Sequence, residues 1–141
     1  MIRNPSQLLL RGAPYFPVAD VAKTGAYYRD VFGFQLEYAG GEPPEFAVYS
    51  RDGCPIMLRR TPEPGRIQPN EAQGGTWDVF YWVADLQVLY DELKSRGAVF
   101  VYGPTVQPYG MKEFAARDPH GYVLGFGQVW PPDGAPTDVR H

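Results

Sequence analysis

Cysteine and histidine are scarce in this chain: Cys54 is the single cysteine, and His120 and His141 are the two histidines among 141 residues. One cysteine excludes an internal disulfide and a thiolate metal cluster, and it fits a reducing, cytoplasmic setting. Cys54 stands beside Pro55 after a turn signal, with no helix N-terminus or histidine next to it to hold a thiolate. It reads as a small apolar filler. His120 lies in a hairpin turn and His141 is the last residue, so neither is placed to activate a nucleophile, and no Gly-x-Ser-x-Gly elbow occurs. Gly40-Gly41 and Gly74-Gly75 lack the Lys-Ser/Thr sequel of a phosphate-binding loop. Long apolar runs are missing too. Leu8-Leu9-Leu10 is too short for a signal-peptide core, and no stretch reads as membrane-spanning. Nor is there a basic excess: 13 Lys and Arg stand against 16 Asp and Glu, a formal net charge of -3, so no footprint invites nucleic acid or an anionic membrane.

What the chain does have is repetition and aromatic rings. Its hydrophobic content of 44% is enough for one compact domain with an ordinary core. Ten Tyr, eight Phe and three Trp are more rings than the core alone requires, given how many fall on β-prone segments. Val18-Ala19-Asp20-Val21 opens one amphipathic segment and Val83-Ala84-Asp85-Leu86 opens another; each follows a β-prone run and closes on a glycine, Gly33 or Gly97. Two such copies imply two supersecondary units sharing a concave surface, not a solenoid.

The pattern along each copy predicts β-α-β-β-β. In module one, about 13–60, Pro14 to Val18 reads as a strand and Asp20 as an N-cap; Val21, Tyr28, Val31 and Phe32 share a helix face that ends at Gly33. Strands follow at Phe34 to Tyr38, Phe46 to Ser50 and Pro55 to Arg60, with Asp52-Gly53 as a turn. A linker, 61–76, is rich in Pro and Gly. Module two, about 77–128, repeats the order: a strand from Asp78 to Val83, the cap Asp85, and a helix with Leu86, Leu89, Tyr90 and Leu93 on one face. Further strands are predicted at Val99 to Tyr102, Glu113 to Arg117 and Tyr122 to Gln128, with Asp118-Pro119-His120-Gly121 turning between the last two. The tail, 129–141, carries Pro131, Pro132 and Pro136 and reads as irregular.

Val18-Ala19-Asp20 with Tyr27-Tyr28-Arg29-Asp30-Val31-Phe32-Gly33-Phe34 resembles the first signature of the vicinal oxygen chelate superfamily, which includes glyoxalase I, extradiol dioxygenases and bleomycin-resistance proteins. Val83-Ala84-Asp85-Leu86 with Leu93-Lys94-Ser95-Arg96-Gly97-Ala98 resembles its second signature, and Phe114-Ala115-Ala116-Arg117-Asp118-Pro119-His120-Gly121-Tyr122 its final hairpin. The resemblance implies an α+β fold: paired βαβββ modules in a single domain, their strands curled into an eight-stranded cup, often completed in a homodimer. It also implies where metal-dependent relatives place four ligands, and those positions here hold Ala13, a residue at about Leu58, Asp78 and Gly125. Alanine, leucine and glycine offer no lone pair, and one carboxylate does not hold a divalent cation against water. No metal and no cofactor is therefore expected, and catalysis is left open with the balance against it.

Strand alternation selects what lines the concave face. Phe16, Val18, Tyr81, Val83, Leu124 and Phe126 share the parity that faces the helices. The opposite parity gives Tyr15 from the first strand, Asp78, Phe80 and Trp82 from the fifth, and Gly125 and Gly127 from the eighth. Tyr109 and Glu113 lie nearby in the final loop and strand. Tyr15, Asp78, Phe80, Trp82, Tyr109, Glu113 and Gly125 are the candidate ligand-binding residues. Aromatic walls, one charge and a glycine floor that a ligand could approach suit a metal-independent binder of an aromatic or cationic small molecule such as an antibiotic. Each residue has a plainer reading: the rings as core or dimer filling, Asp78 as a solvated or paired strand-end acid, Glu113 as a solvated strand residue. Two other classes stay open, a glyoxalase-like lyase or dioxygenase with a non-standard metal site around Asp78 and Glu113, and an interaction module whose cup is filled.

Overall fold

The computed structural model describes residues 6–132 of the chain. They form two compact units, one made of residues through Arg29 together with Gly33–Pro64, the other of Asp30–Phe32 and the chain from Gly65 onward. Each contributes one open, four-stranded mixed sheet.

The first unit runs β1 (Tyr15–Val18), α1 (Val21–Phe32, whose last three residues group with the second unit), β2 (Gln35–Gly40), β3 (Phe46–Arg51) and β4 (Cys54–Arg60). Asp20 starts α1 as its pattern predicts: the backbone is extended there and the carboxylate accepts the Lys23 N–H at 3.0 Å. Gly33 ends the helix in the left-handed conformation, φ 76°, which a side chain would strain. The sheet order is β1-β4-β3-β2, with β1 and β4 parallel and the other pairs antiparallel. Phe16, Val18, Ile56 and Leu58 are buried, as the alternation requires. Gly25 was not singled out by the sequence pattern. A side chain there would overlap the phenol of the buried Tyr49, so its absence lets β3 place that ring against the helix.

The second unit repeats the plan with β5 (Val79–Trp82), α2 (Leu86–Ser95), β6 (Val99–Gln107), β7 (Met111–Arg117) and β8 (Val123–Val129), ordered β5-β8-β7-β6. Asp85 caps α2 by accepting the Val88 N–H at 3.2 Å. The helix stops at Arg96, and Gly97 follows with φ 91°. β6 is longer than its sequence suggests. It continues through Gly103-Pro104 to Gln107, with one register shift between Phe100 and Tyr102 and another between Tyr102 and Thr105, where the Gly-Pro pair falls.

The segment expected as a plain linker carries structure: 3-10 turns at Pro64–Arg66 and Asn70–Gln73. Arg117 on β7 donates to Glu71 from Nη2, at 2.7 and 2.8 Å to the two carboxylate oxygens, and from Nε at 3.2 Å, fastening the second turn to the sheet. In the hairpin before β8, the buried Asp118 accepts the N–H groups of His120 at 2.8 Å and Tyr122 at 3.0 Å, and Gly121 takes φ 85°. The expectation for the tail beyond residue 132, with Pro136 and His141, lies outside the described residues. Among the described residues no helix is long and apolar enough to cross a membrane.

Candidate functional site

Residues directly opposed across a ladder project to the same face of the sheet. In the second unit one row is Tyr81–Phe126–Phe114, and it belongs to the helix side: Phe114 stacks on Phe126 at 5.0 Å and meets Tyr90 of α2 at 5.3 Å. The neighbouring rows must then face away from α2. They are Phe80–Gly125–Ala115–Tyr102 and Trp82–Gly127–Glu113–Thr105. Four of the candidate residues, Phe80, Trp82, Glu113 and Gly125, thus come together on one face through the strand register.

The glycines on this face do not serve as the ligand-accessible floor expected of them. A Cβ at Gly125 would lie 2.5 Å from Cδ1 of Trp77 and 2.8 Å from Cδ1 of Phe80. One at Gly127 would lie 2.5 Å from Cζ of Phe80, 2.8 Å from Cε of Met111 and 3.2 Å from Cγ of Glu113. The backbone there is already covered by the protein's own rings. Both glycines are buried, and their role is to let Trp77 and Phe80 lie flat on the strand.

The result is an aromatic platform. Trp77 and Phe80 have centroids 4.6 Å apart, and Phe80 meets Trp82 edge-on at 5.1 Å. Trp77 and Phe80 are partly covered, whereas Trp82 is 74% exposed, so the ladder ends in an open indole. Trp77 is fixed by its own ring N–H, which donates to the Tyr102 hydroxyl at 3.0 Å. Trp77 and Tyr102 were both missing from the sequence-based set. Trp77 sits just before β5, where strand parity does not apply, and Tyr102 lies between two register shifts.

A polar pair borders the platform. Glu113 is only 2% exposed, which overturns its reading as a solvated strand residue. Its Oε1 accepts the Tyr109 hydroxyl at 2.7 Å. Tyr109 is pushed up to about 12 by loss of hydration, then by its hydrogen bond to Glu113 and by that carboxylate's charge. Tyr102 is also raised, by burial first; the Trp77 hydrogen bond lowers it and the Glu113 charge raises it.

Asp78 has a structural occupation. One oxygen accepts the Asn70 N–H at 2.8 Å and the other the Val123 N–H at 2.8 Å, while the Asn70 amide donates to the Trp77 carbonyl at 2.9 Å. The carboxylate ties the incoming segment and β8 to the start of β5, which orients Trp77. Tyr15 belongs to the first unit, where it packs edge-on with Phe46 at 6.2 Å and has the Arg59 guanidinium 5.7 Å from its ring centre.

The residues present do not fit a divalent cation. Ala13 and Gly125 carry no donor, and Asp78 spends its oxygens on backbone amides. Leu58 is fully buried beside Phe16, so the positions of β4 on the opposite face are Met57 and Arg59, neither of them a ligand for Zn²⁺ or Fe²⁺. Among the described residues no group of three or more His, Cys, Asp or Glu side chains is gathered to hold a metal.

Two βαβββ units with open mixed sheets define a class of paired-module α+β proteins, and this one carries an aromatic platform in place of a metal-ligand set. The chain belongs to the glyoxalase/bleomycin resistance protein/dioxygenase superfamily, whose family model matches residues 12–126. Solved structures share the fold. TioX from Micromonospora sp. ML1 is 24% identical, with 85% of this chain and 98% of that one covered at a TM-score of 0.69. UcmS2 is 20% identical over 86% of this chain and 98% of its own, TM-score 0.67. A superfamily member from Sphaerobacter thermophilus DSM 20745 is 19% identical over 86% and 98%, TM-score 0.66. No curated protein shows significant similarity to the chain.

Proposed function

We propose that this protein is a metal-independent small-molecule binder that receives a flat aromatic compound on the Trp77–Phe80–Trp82 platform. The observation that carries the reading is Trp82, an indole left 74% exposed at the end of a ladder whose inner rings are pinned in place. A large exposed ring costs hydration free energy, and covering it with a second planar group recovers apolar burial plus about 0.5–1.5 kcal/mol per ring contact. Phe80 and Trp82 make the contact surface, Tyr109 and Glu113 its polar border, and Asp78 and Gly125 hold the platform's shape. In this reading the protein acts by sequestering its ligand, as a homodimer in the cytoplasm, and an aromatic antibiotic is one compound of suitable chemistry. Isothermal titration of the full chain with planar aromatics tests the reading, with naphthylmethanol as the simplest probe. Saturable binding by the native chain that Trp82→Ala weakens about tenfold supports it; no binding across a broad set of planar compounds contradicts it.

A further inference from the structure

Glu113, at the platform's polar border, presents a combination that ring stacking alone leaves unexplained. It is a carboxylate with 2% exposure, it accepts one phenolic hydrogen bond, and among the described residues it makes no ion pair with a basic side chain. Burying a carboxylate without a counter-cation is costly, because one neutral donor replaces only part of its hydration. A protonated amine placed against it would recover that cost and form a charge-assisted hydrogen bond. The acid also lies against the platform's rings. The Phe80 ring tip and Cγ of Glu113 converge over Gly127, both within 3.2 Å of the point where that residue's Cβ would be. The aromatic surface and the acid therefore share one spot on the sheet, in the row that also holds Trp82.

We infer that the site recognises an aryl-alkyl ammonium compound: a planar ring system on Phe80 and Trp82, with a primary or secondary ammonium one or two carbons away that donates to Glu113. Tyr109 is a positioning residue here. Its hydroxyl donates to Oε1 at 2.7 Å and so fixes the orientation of the carboxylate, while Oε2 takes the ammonium hydrogen bond in this proposal. Phe80 and Trp82 add a cation–π component for any charge lying over their faces. This inference rests on the platform reading above, and the two can fail separately.

The test compares naphthylmethylamine with naphthylmethanol, which share ring, reach and size and differ in charge, by isothermal titration against the full-length protein at neutral pH. The ammonium compound should bind about tenfold more tightly or better, the usual margin for a hydrogen bond to a charged group. Glu113→Gln should bring the two affinities within about twofold, chiefly by weakening the amine. Tyr109→Phe should keep a clear preference for the amine, since the carboxylate remains. Equal affinities in the native chain overturn the ammonium inference while leaving the platform reading intact, and so does a preference that survives Glu113→Gln. Absence of binding by both probes overturns both readings. If Glu113→Gln does not fold, equal affinities in the native chain still overturn the inference, and Glu113→Ala takes its place as the variant that must abolish the preference.

Discussion

Replacing Gly125 by alanine puts a methyl group where two rings already lie. Its Cβ would be 2.5 Å from Cδ1 and 2.6 Å from Nε1 of Trp77, and 2.8 Å from Cδ1 of Phe80. Carbon atoms rest about 3.5–4.0 Å apart, so both rings must retreat by roughly 1 Å. Overpacking of this kind costs about 1–3 kcal/mol. Trp77 also cannot move without stretching its 3.0 Å bond to the Tyr102 hydroxyl, and losing a neutral hydrogen bond adds about 1 kcal/mol. Against this stands the ordinary gain of about 0.5–1 kcal/mol from replacing a strand glycine by alanine. The net expectation is a loss of about 1–3.5 kcal/mol, readable as a lower urea midpoint at unchanged slope, with a red shift of Trp emission as Trp77 leaves its seat. If Gly125→Ala is neutral or stabilising, the glycine was not making room for these rings, and the platform is not built as described.

Other expectations follow from the same contacts. Trp82→Ala should change stability little compared with Gly125→Ala, because most of the ring is in water, so thermal melting and ligand titration should separate cleanly. Asp78→Ala should cost about 2–3 kcal/mol in denaturant unfolding, since two backbone N–H groups lose a charged acceptor. Glu37 is held at about 2 by the Arg11 hydrogen bonds first and by Ser50 second, so its stabilising contribution is present above the ordinary carboxylate range and disappears as pH falls through about 2. Carboxyl ¹³C NMR should place its titration there in the native chain and higher in Arg11→Ala, where only the Ser50 hydrogen bond still lowers it. In ultraviolet titration the Tyr109 ionisation, identified by its loss in Tyr109→Phe, should fall near pH 12, and Glu113→Gln should bring it down, because two of the causes that raise Tyr109 come from that carboxylate.

The features legible in the sequence were the local ones. Asp20 and Asp85 cap their helices, and Gly33 and Gly97 follow them with positive φ, because those jobs are done within a few residues of the chain. Alternation placed Phe80 and Trp82 away from α2 for the same reason. The misreadings arose where partners are distant. Asp78 looks like an isolated charge until the fold brings Asn70 and Val123 to its two oxygens. Gly125 and Gly127 look like openings until Trp77 and Phe80 fill them. Glu113 stands four residues beyond Tyr109 around a turn, and only the closed hairpin shows that the phenol donates to it. Tyr102 was hidden because the register shifts beside it break the two-residue period from which faces are read.

The most direct measurement is a two-dimensional ¹⁵N NMR titration of the full chain with naphthylmethanol. Binding on the platform should give saturable shifts of the Trp82 and Trp77 indole N–H signals and of the Gly127 amide, all reporting one affinity. Shifts confined to other residues, with these three signals unmoved at saturation, would contradict it.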